Sequence, residues 1–137
     1  MLVVERLVAS IALFVAAHFA MGFINSSAGG PGGNVLFPFA TDAPSRWVFG
    51  NLDGMLGLLV PVMIGLAGIA VLSFVLAFLA TFGLWVPADL WRPLILIGAG
   101  CSVALLLLHP SIYAALPLTL NAGLAWVAWT SAWTPAT

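Results

Sequence analysis

Four apolar runs separated by brief polar or proline-bearing breaks organise the chain, at residues 7–24, 54–84, 93–109 and 111–133. Each mixes Leu, Val, Ile, Ala, Phe and Gly, and each is long enough to enter a bilayer core. The pattern predicts an all-α, integral membrane four-helix bundle forming a single domain over 1–137, with a long outer loop at 25–53. Ala17 and Ala20 after a short charged start imitate a signal peptide, but the apolar run exceeds the usual ~7–15 residues of such a segment and reads as a span. The second run is the longest. About 31 residues at 1.5 Å each reach roughly 46 Å, against a hydrocarbon core of about 30 Å. It must therefore tilt, kink or project, and Pro61 is the expected kink. Asp89 and Pro93 mark the start of the third helix and His109-Pro110 its end; Ser111 reads as the cap of the fourth, with Pro117 inside it.

The long loop opens on Asn25-Ser-Ser-Ala-Gly-Gly-Pro-Gly-Gly-Asn34, a turn-rich segment. Its glycines lack the strand, helix and spacing of a dinucleotide fingerprint. Asn25-Ser26-Ser27 fits a glycosylation sequon but lies against the membrane. Farther on, Thr41 or Asp42 caps a short helix with Pro44 in its first turn, and Trp47 and Phe49 suit the headgroup layer, so this segment reads as interfacial. Trp85 and Trp91 in the short loop between the second and third spans read as a membrane anchor, and Trp126, Trp129 and Trp133 as an aromatic belt at the same level.

Composition adds three exclusions. With 64% hydrophobic and 5% charged residues in 137, against about 25% charged in soluble domains, a water-soluble fold would expose large apolar patches. The net charge of -1 offers no basic face to nucleic acid. A single cysteine, Cys101, allows no internal disulfide. The formal charges are Glu5, Arg6, Asp42, Arg46, Asp53, Asp89 and Arg92, all outside the four runs, so ion-coupled transport and hydrolysis fall behind other readings. No Ser/His/Asp set, paired carboxylates or metal cluster is readable, and no catalytic residue is assigned; Asp53 reads as a helix cap. With an inner N-terminus, Arg6 and Arg92 are cytoplasmic and Arg46 is outside, which favours an N-in, C-in protein of a prokaryotic cytoplasmic (inner) membrane.

Inside the runs the strongest pattern is small residues at helical spacing. Gly54, Gly57, Pro61, Gly65 and Gly68 share one face of the second span, and Ala70, Ser73, Ala77 and Ala80 another. Ala12, Ala16 and Ala20 line the first span, and Ala114, Pro117, Asn121, Ala125, Ala128 and Ala132 the fourth. Small residues let backbones approach where burial alone does not drive association. A compact bundle accounts for these stripes, and a second small face on one helix leaves room for another subunit or a flat cofactor.

Two polar side chains fall within spans as candidate site residues. His18 can hydrogen-bond across helices or ligate a haem or chlorin, with His109 as the second histidine at the same outer level. Asn121 needs partners in hydrocarbon and suits helix registration. Ser73, Thr81 and Ser102 can bond their own helix backbone. No cofactor is required; haem, chlorin and quinone remain open.

The first span ending in His18-Phe19, the long first loop, the Gly-rich second span and the close third and fourth spans resemble the DoxX-like group of small four-helix membrane proteins. The resemblance covers most of the chain at the level of layout, without a diagnostic motif. It implies a quinone- or thiol-linked redox protein and assigns no functional residue. The leading expectation is a non-catalytic accessory subunit of a larger membrane complex, respiratory or photosynthetic electron transfer among them, with lipids and other membrane subunits as partners. The alternatives are a DoxX-like redox protein and a haem- or pigment-binding subunit using His18.

Overall fold

The computed structural model describes residues 2–28, 53–108, 115–130 and 133, with the backbone alone at 23, 25–28 and 53–60. These residues form four α-helices and no strand: α1 (Val3–Ala28), α2 (Asp53–Thr81), α3 (Trp91–Leu108) and α4 (Ala115–Thr130), with a 3-10 turn (Ala88–Leu90) leading into α3. Three segments, Val3–Gly22, Pro61–Thr81 and Ala88–Leu108, are long and apolar enough to cross a membrane, the make-up of a multi-pass membrane protein. The 16 residues of α4 reach about 24 Å at 1.5 Å each. Residues 29–52, with Trp47, lie outside the described residues, as do His109 and Ser111.

The helix ends differ from the sequence expectation for local reasons. α1 starts at Val3 rather than residue 7. The Leu2 backbone N–H donates to Glu5 Oε2 at 2.7 Å, the reach-back of a capping box, and Arg6 N–H donates to the Leu2 carbonyl at 3.0 Å. Glu5 and Arg6 therefore belong to the first turns of the helix instead of preceding it. At its other end α1 runs to Ala28, so residues 25–28, expected in the loop, are helical. α2 stays helical on both sides of Pro61 and ends at Thr81 rather than 84. Gly83, at φ 65°, is the stop signal. Its N–H donates to Ala80 O (3.1 Å) and Leu84 N–H to Leu79 O (3.0 Å), the two bonds of a Schellman motif. Asp89 does not cap α3; it lies within the 3-10 turn, where Leu90 N–H donates to Pro87 O at 3.1 Å. α3 then continues directly from Trp91, with Pro93 in its first turn.

The packing is an antiparallel bundle. One buried cluster joins Ala9, Leu13, Ala16 and Ala20 of α1 to Ala70, Phe74, Ala77 and Ala80 of α2, Trp91, Ile95 and Ala99 of α3, and Leu124 and Ala128 of α4. A second joins Ile24 of α1 to Met63, Leu66 and Ala67 of α2 and Leu105 and Leu108 of α3. The N-terminus of α1 therefore shares one end of the bundle with the end of α2, the start of α3 and the end of α4. α2 and α3 pack tightly where Phe74 meets Gly98. A Cβ on Gly98 would stand 2.8 Å from Phe74 Cε1 and 3.0 Å from Cδ1, so glycine makes the hole that the ring fills.

Gly98→Ala is expected to destabilise the bundle by about 1–3 kcal/mol through overpacking. Gly65→Ala, whose Cβ would meet nothing within 4 Å, should leave stability unchanged or slightly raised. Denaturation of both variants in detergent micelles checks the contrast.

Candidate functional site

The helix ends that meet at the α1 N-terminal side are tied by side chains. Thr81, in the last turn of α2, donates its hydroxyl to Ala77 O (2.9 Å) and accepts from Trp91 Nε1 (3.0 Å). Both residues are buried, so the indole N–H and the hydroxyl are satisfied without water. Trp91 is thus core. The expectation that it anchors the protein at the membrane surface is corrected by its complete burial against α2.

The next residue, Arg92, reaches across to α4. Its Nε donates to Ala128 O at 2.8 Å and Nη2 to Trp129 O at 3.3 Å. These carbonyls belong to the last turn of α4, where intrahelical donors run out and the helix dipole is negative. A guanidinium there supplies donors and a complementary charge together. In the sequence Arg92 served only as an orientation marker. The signal that finds it is a cation at the start of one helix whose antiparallel neighbour ends nearby, and it is readable only once the pairing of α3 with α4 is known.

A second polar link lies within the bundle. Asn121 Nδ2 donates to Ser102 Oγ and to Pro117 O, both at 2.8 Å, and both side chains are buried. Ser102 is therefore engaged across the helix pair as an acceptor, a role beyond the backbone bonding expected of it. Asn121 Oδ1 is buried with no partner among the described residues, as is Arg6 Nε. His18 stands half-buried on α1, and His109 is outside the described residues. Among the described residues no three His, Cys, Asp or Glu side chains come together as metal ligands.

The small-residue faces separate into two kinds. Ala16 and Ala20 are buried in the main cluster together with Ala70, Ala77 and Ala80 of α2, and Ala12 packs against it. Gly65 and Gly68 of the glycine stripe do not belong to this cluster. Pro61 and Gly65 are exposed, and an added Cβ at Gly65 or Gly68 would meet nothing within 4 Å. Gly54 and Gly57 lie in the part of α2 where only the backbone is described. Among the aromatic candidates, Trp126 and Trp129 are largely exposed at 69% and 73%, Trp85 stands out at 95%, and Trp133 packs half-buried on the core.

Compared with known protein families, with curated proteins and with solved structures, the chain finds no match.

Arg92→Gln is expected to lower stability by about 1–2 kcal/mol and to fray the end of α4, because the last carbonyls lose charge-assisted donors. Hydrogen exchange across residues 126–130 reads the fraying. A double-mutant cycle over Ser102→Ala and Asn121→Leu should give a coupling near 0.6 kcal/mol, the average for hydrogen bonds between membrane helices.

Proposed function

We propose that the chain is a non-catalytic accessory subunit of a larger complex in a prokaryotic cytoplasmic (inner) membrane, crossing it four times with both termini inside. One observation carries the reading. α2 has two small-residue faces; the alanine face is used inside the bundle, and the Pro61–Gly65–Gly68 face is open. In lipid, a glycine-lined groove gains nothing from the solvent, since acyl chains are as apolar as leucine. It does gain dispersion contacts when another helix lies in it. Gly costs about 1 kcal/mol relative to Ala in a helix interior, so two glycines within one turn are a standing cost that close helix approach offsets. Arg6 and Arg92 at one end of the bundle support the inward placement of that end.

The polar groups fit a packing role. Thr81–Trp91, Arg92–α4 and Ser102–Asn121 each join helix to helix. Partners here are recognised by shape, as apolar helices with a face that complements a shallow groove.

Purification in mild detergent should recover stoichiometric membrane partners with the wild-type chain. Gly65→Leu combined with Gly68→Leu should lose them while the isolated bundle melts as before, because an added Cβ at either position meets nothing within 4 Å. Recovery of a lone monomer from gently solubilised membranes sinks the proposal.

A further inference from the structure

We propose that the turn Phe82–Pro87 is a bilayer-inserting element that seats Trp85 among the glycerol and ester groups of the lipids. This rests on α2 and α3 crossing the membrane and goes beyond the accessory role by assigning a contact of its own to the turn.

Three observations converge on it. The first is conformational. Trp85 has φ 58°, and the Val86 N–H donates to the Leu84 carbonyl at 2.7 Å across it, closing a three-residue γ-turn. A bulky aromatic residue in the left-handed region is an outlier that persists only where something compensates the strain. The second is exposure. Trp85 is 95% exposed, so packing against the described residues does not compensate it. Phe82 and Leu84 are exposed with it, and Phe82, Leu84, Val86 and Pro87 leave the turn without a polar side chain for water. An all-apolar turn with a tryptophan at its tip is poorly suited to an aqueous loop.

The third is depth. The segments on either side, Pro61–Thr81 and Ala88–Leu108, each have 21 residues. At 1.5 Å per residue each is about 31 Å long, close to a hydrocarbon core of about 30 Å. When both segments cross, the turn between them falls at the boundary between acyl chains and headgroups. There an indole buries its ring while its N–H meets an ester oxygen. The outward Trp126 and Trp129 of α4 stand at the same end of the bundle, giving the turn company at that level. The left-handed backbone aims the indole away from the bundle; Trp91, six residues later in regular helix, is turned fully inward.

The test is fluorine NMR on the full chain labelled with 5-fluorotryptophan in phospholipid nanodiscs. The Trp85 resonance is identified by its loss in Trp85→Phe, or in Trp85→Tyr where the first variant fails to fold. A phospholipid carrying a nitroxide near the glycerol end of its chain should broaden that resonance more than a water-soluble gadolinium chelate does. The reverse order overturns the proposal and places the turn in water. Broadening by neither reagent also overturns it, because the indole is then covered by protein. The Trp126 resonance is the control: lipid broadening there without lipid broadening at Trp85 refutes insertion of the turn and leaves the membrane-spanning reading standing.

Discussion

The seam of alanines between α1 and α2 sets the geometry of the bundle. Ala9, Ala16 and Ala20 share one buried cluster with Ala70, Ala77 and Ala80, all too small to hold the backbones apart. Inside a membrane the contact surface itself supplies the attraction, so how closely two helices approach decides how strongly they hold. The seam brings α1 against α2, and Phe74, lodged over Gly98, carries the same close approach on to α3. One larger side chain at any of these positions would separate helices along their length.

Hydrogen bonds then fix what packing leaves free. Smooth alanine faces slide and rotate with little cost. The three polar links prevent this at different points: Thr81 with Trp91, Arg92 with the end of α4, and Asn121 with Ser102. Their shared logic is backbone and side-chain satisfaction in a medium that offers no water. Arg92 shows it best, since a residue that counts as one unit of charge in the sequence does the work of a helix cap on another element. Asn121 is incomplete by the same standard, with one buried amide oxygen that has no partner among the described residues.

The apolar exterior has two distinct parts. Around most of the bundle it consists of branched and aromatic side chains, as lipid contact requires. Along α2 at Gly65 and Gly68 it lacks side-chain bulk, with nothing within 4 Å of an added Cβ, and at Trp85 it carries an exposed indole on a backbone of positive φ. Lipid accommodates either, but neither shape arises from the need to bury the bundle's own surface.

The number and kind of helices were legible in the sequence, because runs of apolar residues have one way to satisfy their backbone in a membrane. So was part of the close packing, written as alanine at helical spacing. The end of α2 was legible in principle: Gly83 is a stop signal that an apolar count over 54–84 passes through. Which stripe of α2 faces inward was decided by tertiary structure alone, since both are small and both repeat with the helix. The same holds for Trp91 and Trp85. They are identical residues six positions apart in a short aromatic segment; one is fully buried on Thr81 and the other almost wholly exposed. A sequence records what a side chain can offer, while the backbone direction at each position settles whether the offer is made to a neighbouring helix or to the surroundings.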